Sequence, residues 1–128
     1  MAVTSMARPL ASVLVAWGVA CCGMMETPLR AAEVTYALRI ENGHVPESMR
    51  LIRVKRGDVV KLQWTSDRPI TIHLHGYDIE KEITPGPVTD MVFTARATGR
   101  FAVEPHLGRG PSGGHAHGDV LVTIEVYP

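Results

Sequence analysis

The sequence has 128 residues, with 13 Lys and Arg against 13 Asp and Glu, two cysteines and six histidines. Balanced charge with no basic run excludes a partner held through nucleic-acid phosphates. At 5% aromatic residues there is also too little material for a platform that stacks bases or sugars.

The chain opens with Arg8 and an apolar run from Leu10 to Met25. That run has the length of a signal-peptide core and is short for a membrane span, which needs roughly 20 apolar residues. Cleavage after Ala31 or Ala32 would divide the chain into a signal peptide, 1–32, and a mature domain, 33–128. An uncleaved anchor is the alternative. Both cysteines, Cys21 and Cys22, lie in the leader, and Gly18-Val19-Ala20 before Cys21 makes a poor lipidation motif. The mature domain would then hold no thiol, which removes both an internal disulfide and a thiolate ligand. Setting aside Arg8, Arg30 and Glu26 leaves 11 basic against 12 acidic residues, so the domain is close to neutral.

From Glu33 onward the chain reads as short strands. Val34, Tyr36, Leu38 and Ile40 alternate with polar neighbours and predict a first half-buried strand. Glu41 to Ser48 is rich in turn formers and is expected to be a loop carrying a solvated His44. Met49 to Val54 is a second strand, ended by Lys55-Arg56-Gly57-Asp58. Val60, Leu62 and Trp64 mark a third, with Trp64 in the core. Ser66-Asp67-Arg68-Pro69 turns into a fourth, which Gly76 breaks, and Tyr77 to Ile83 forms a shorter extended piece. After Thr84-Pro85-Gly86-Pro87, Val88 to Phe93 is the sixth strand, with Met91 a core residue. Arg100 to Glu104 is the seventh, followed by a long Gly/Pro loop. Val120 to Val126 closes the domain. No segment of the mature part sustains a 3.6-residue period. Seven or eight short strands over this length predict an all-β fold, an antiparallel β-sandwich.

Two stretches carry chemistry. In Thr71-Ile72-His73-Leu74-His75-Gly76-Tyr77-Asp78, a period of two sends Ile72 and Leu74 one way and His73 and His75 the other. The second stretch runs from Glu104 through His106 to His115 and His117, among glycines. Five of the six histidines lie in these two places, and imidazole is the commonest metal ligand among side chains. The bland alternative is a pair of exposed strand histidines and a histidine-bearing loop that picks up metal weakly.

The order Gly-Asp turn, Ser-Asp-x-Pro, His73-Leu74-His75-Gly76-Tyr77-Asp78, Pro-Gly, Phe93-Thr-Ala-x-Ala-x-Gly-x-Phe101 and a late histidine resembles the cupredoxin-like family. It looks most like small exported bacterial members and is similar to the cupredoxin-like domain of periplasmic iron-uptake proteins. The resemblance covers about Val34 to Val126 and implies a Greek-key sandwich of the cupredoxin type. In blue-copper members one ligand histidine stands where the fourth strand ends. His75 matches it best and His73 second, and His106 is the counterpart of the histidine in the loop before the last strand. The sequence departs from that pattern where the cysteine would stand, at Val103 or Glu104. It also has no methionine between His106 and the last strand. A blue-copper centre depends on copper–thiolate bonding, so electron transfer of that kind is not expected.

The expected cofactor is therefore copper, with zinc as the alternative, held by His75, His106, His73, His117, His115 and Glu104. Cu(II) suits nitrogen and oxygen donors and outranks Zn(II) at a given site. Glu104 could ligate directly or orient a ring N–H, and Asp78 is a weaker candidate for the second role. No nucleophile or paired general base is evident, so the protein is expected not to be an enzyme. The expected partners are a metal ion and a periplasmic or membrane-bound protein, and the expected location is periplasmic or secreted. Two alternatives stay open: a metal-free sandwich that binds a protein partner, and a small type 2 copper or zinc enzyme.

Overall fold

The computed structural model describes residues 31–109 and 115–128. The leader up to residue 30, with Cys21 and Cys22, and the Gly/Pro segment 110–114 lie outside the described residues. Among the described residues no helix is long and apolar enough to cross a membrane.

Nine strands are described: β1 (Glu33–Ile40), β2 (Leu51–Lys55), β3 (Val59–Ser66), β4 (Ile70–Leu74), β5 (Ile79–Ile83), β6 (Thr89–Thr94), β7 (Gly99–Arg109), β8 (His115–His117) and β9 (Val122–Tyr127). A single 3₁₀ turn, Glu47–Met49, interrupts the β1–β2 connection. The strands form one sheet in the order β1-β3-β6 and a second in the order β2-β9-β7-β4-β5, with β8 paired to β7. Each layer turns the apolar half of its alternation inward. Leu38, Ile40, Val60, Leu62, Trp64, Met91 and Phe93 of the first sheet meet Ile52, Val54, Ile72, Leu74, Val103, Val122, Ile124 and Val126 of the second. Trp64 and Met91 are fully buried, as their positions in the alternation require. His44 is exposed, in the loop expected for it.

Two features differ from the expectation. The sheets are mixed rather than wholly antiparallel, because β1 runs parallel to β3 and β2 runs parallel to β9. The chain leaves the first sheet after β1, lays β2 in the other, and returns for β3. Two reversals restore its direction. A period of two is the same in parallel and antiparallel strands, so alternation alone carries no sign of this.

The second difference lies after Glu104. The strand does not end there but continues as β7 through Pro105 and His106 to Arg109, and β8 pairs back onto it. Pro105 is tolerated because of where its backbone points. Its carbonyl accepts the Gly118 N–H at 3.1 Å, so its nitrogen, which aims the same way in a strand, also faces β8 rather than β4. The missing donor falls on the side where the β7–β8 register is already irregular. Gly118 belongs to the same arrangement. A Cβ there would lie 2.5 Å from Pro105 Cγ, so only glycine lets the returning chain pass so close.

Candidate metal-binding face

The site is built from strand registers. β4 lies between β5 and β7, with His73 directly opposite Glu80 on one side and Glu104 on the other. Residues paired across antiparallel strands share a face, so Glu80, His73 and Glu104 form one row. Ile72 and Leu74, on the opposite face, are fully buried. The row is thus on the outer side of the six-stranded sheet. His106 stands two residues beyond Glu104 and shares its face. His75 stands two beyond His73, just past the end of β4, where its N–H donates to the Ala102 carbonyl at 2.9 Å.

The described rings and carboxylates are close together. The His73 and His75 rings stand edge to face with centroids 4.5 Å apart. His75 Nε2 lies 2.9 Å from Glu104 Oε2, His106 Nδ1 lies 3.1 Å from Glu80 Oε2, and His73 Nε2 lies 3.4 Å from Asp78 Oδ1. The His73 and His106 side chains are each 19% exposed and that of Glu104 20%, so the rings are sheltered but reachable. Beside His106 a cleft of about 480 Å³ opens, lined by Gly43, Arg68, Thr71, Glu82, Pro105 and His106. Next in sequence to its lining residues Gly43 and Arg68, the Asn42 N–H donates to Asp67 Oδ2 at 2.8 Å. That bond, followed by Arg68, holds the Asp67 carboxyl below its ordinary pKa.

Local sequence explains why the face ends where it does. Gly76 takes φ +84° and Asp78 φ +56°, which turn the chain out of β4 within four residues and into β5. The Gly76 position is also tight, since a Cβ there would lie 2.5 Å from Phe101 Cδ1. Tyr77 follows and packs on Phe93 and Phe101, with ring centroids 4.8 Å and 5.0 Å away.

The structure brings His73, His75, Glu104 and His106 onto one face. It places His117 in backbone register opposite His106, and His115 opposite Arg109, farther along β8. Among the described residues, no group of three or more His, Cys, Asp or Glu is arranged to hold a metal ion. One donor pair is His75 Nε2 with Glu104 Oε2, 2.9 Å apart. Two donors bound at right angles to one ion at about 2.05 Å would be about 2.9 Å apart, so this spacing fits chelation as well as a hydrogen bond. The donors are imidazole and carboxylate, with no thiolate, which suits tetragonal copper or zinc rather than blue copper. Glu80 is the site residue that the sequence reading missed. Counting back from the four-residue turn His75–Asp78 pairs it with His73, so the signal was present in the hairpin.

Comparison with protein-family models and with curated protein sequences finds no match. Solved structures do resemble the fold. The periplasmic domain of subunit II of cytochrome oxidase (CoxB) of Bradyrhizobium japonicum is 15% identical with a TM-score of 0.56, over 77% of this chain and 86% of that one. A copper binding protein solved in its apo form by NMR is 12% identical with a TM-score of 0.55, over 77% and 91%. A heme-copper terminal oxidase solved as a dimer by cryo-EM is 23% identical with a TM-score of 0.54, over 73% of this chain. The chain spans 64% of that oxidase chain. At such identities the likeness speaks for architecture, and the architecture is that of a cupredoxin-like β-sandwich.

Proposed function

We propose that this protein is a periplasmic copper-binding cupredoxin-like module that handles the ion through histidine and carboxylate donors. Its first 32 residues are read as an export signal and residues 33–128 as the working domain. The observation that carries the reading is the 2.9 Å approach of His75 Nε2 to Glu104 Oε2, beside His73 and His106 on one sheet face. Bound copper would be held by His75 and Glu104, with His73, His106 and, from its register position, His117 completing the donor set. Such a set supplies a nitrogen and oxygen environment for Cu(II) and no thiolate charge transfer. A copper binding protein and a periplasmic oxidase-subunit domain among the structural neighbours support the same reading. The motif likeness to iron-uptake proteins suggests that the ion is passed to or from a periplasmic or membrane-bound partner. The protein is read as a carrier rather than an enzyme, and turnover assays on the copper- and zinc-loaded forms with oxidase and hydrolase substrates test that.

The binding test is thermal unfolding of the purified protein with and without Cu(II). A ligand at 100-fold over its Kd adds about 2.7 kcal/mol of stability. His75→Ala with Glu104→Ala should abolish the rise in Tm, and the loaded protein should show weak d–d bands without intense blue colour. No rise in the unaltered protein would overturn the reading. It would favour the second one, a metal-free module that binds a protein partner. That alternative draws on His73, His75 and His106 each lying within ion-pair distance of a carboxylate.

A further inference from the structure

We infer that the cleft beside His106 binds a small zwitterion, a molecule with an ammonium and a carboxylate at the two ends of an apolar body. This site stands apart from the copper-binding reading. The cleft holds about 480 Å³, within the roughly 300–1,000 Å³ of clefts that take small molecules. Its lining carries two opposite charges, Arg68 and Glu82, and an apolar strip with Pro69, Ile70 and Leu107. Chain order spaces the charges. Glu82 of β5 is directly opposite Thr71 of β4, and Arg68 stands three residues before Thr71, up to about 11 Å of chain. Pro69 and Ile70 lie between the two charged positions. Leu107 is 63% exposed, an apolar lip that a bound molecule would cover.

Arg68 is held in place at its end of the cleft. Its Nε donates to Asp67 Oδ1 at 3.2 Å and its Nη2 donates to Asn42 Oδ1 at 3.0 Å. Asn42 at φ +52° and Gly43 at φ +78° form a tight turn closed by hydrogen bonds between Glu41 and His44, so the second anchor is itself fixed. A guanidinium has five N–H donors, and these two bonds leave three for an incoming carboxylate. Arg68 pairs with Asp67 rather than with Glu82, so the cleft keeps its two charges apart. A simple anion drawn to Arg68 would also meet the Glu82 carboxylate, and a simple cation drawn to Glu82 would meet Arg68. A ligand with both charges satisfies both ends, and its apolar body covers the strip between them. Discrimination against the singly charged analogues comes from the charge each leaves unanswered.

The test is an NMR titration of the purified protein in metal-depleted buffer, with 6-aminohexanoate as the probe and hexanoate and hexylamine as its singly charged analogues. The zwitterion should give saturable shifts at the amides of Gly43, Thr71 and Leu107, with a Kd in the millimolar range or tighter. Hexanoate and hexylamine should each bind at least about tenfold more weakly, since each forfeits a hydrogen bond to a charged group. Arg68→Gln and Glu82→Gln should each weaken the zwitterion by a similar factor. Both side chains are exposed, so both variants should melt within a few degrees of the unaltered protein. Arg68→Lys, which keeps the cation, should bind more tightly than Arg68→Gln, a difference that mere disturbance of the Asn42 turn would not produce. The inference is overturned by the absence of saturable shifts at the cleft, by either analogue binding as tightly as the zwitterion, or by unchanged affinity in Glu82→Gln.

Discussion

Gly76→Ala offers the sharpest test of how the fold shapes this face. The residue holds φ +84°, and a non-glycine residue in the left-handed region costs about 1–2 kcal/mol. The added Cβ would lie 2.5 Å from Phe101 Cδ1 and 2.9 Å from Cε1, well inside the roughly 3.5–4.0 Å at which carbon atoms rest. Phe101 cannot swing aside freely, because Tyr77 stands edge-on to it at 5.0 Å and is itself packed on Phe93. Overpacking of this kind costs about 1–3 kcal/mol. Together the two effects amount to about 2–5 kcal/mol. For a domain of under 100 residues each kcal/mol lowers Tm by about 4–8 °C, so a fall of at least about 8 °C is expected. Thermal unfolding followed by circular dichroism measures it. Phe101→Leu in the same chain separates the two effects, since it relieves the clash and leaves the backbone strain. The double variant should therefore lose about 1 kcal/mol less than the sum of the single losses. A Gly76→Ala protein melting within about 3 °C of the original, or strict additivity with Phe101→Leu, would refute the reasoning.

Other outcomes follow from single contacts. The Tyr77 hydroxyl is buried with no hydrogen-bond partner among the described residues, so Tyr77→Phe should leave stability unchanged or raise it by up to about 1 kcal/mol. A loss above 1 kcal/mol in denaturant unfolding would mean that the hydroxyl is satisfied. The Asp67 carboxyl has a lowered pKa, chiefly from the Asn42 N–H, so its contribution is complete above the ordinary aspartate range and is lost as pH falls through the lowered value. Asp67→Asn should therefore flatten the acid limb of the stability–pH curve, and identical limbs would contradict this. Because imidazole must be deprotonated to ligate, Cu(II) affinity should weaken in acid, and a titration flat from pH 5 to 8 would speak against histidine ligation.

Much of the architecture was legible in local pattern. The alternation of Ile72 and Leu74 with His73 and His75 predicts which side of β4 is core, and Leu74 is fully buried with both histidines opposite. The bounds of β1 match the predicted strand. The glycine at the end of the fourth strand marks the turn, and Glu104 stands 2.9 Å from His75. The stretch after Glu104 misled because proline and glycine are ordinarily loop signals. In this fold β8 accepts a strand carrying Pro105 on the side that lacks a donor, and Gly118 lets it approach.

What the amino-acid order determines alone is short-range: the period of two, the inward and outward sides of each strand, the turn residues, and the absence of a thiol from residue 33 onward. Which strands become neighbours is a long-range matter. It rests on how two apolar layers bury each other's faces, and pairs such as β1 with β3 or β2 with β9 are decided there. The row Glu80–His73–Glu104 joins three strands, so its two registers become one surface only after β7 has docked against β4. Side-chain chemistry was written along the chain, but its convergence is a product of packing. Contacts between residues 29 positions apart, such as His75 and Glu104, exist only once the core has closed.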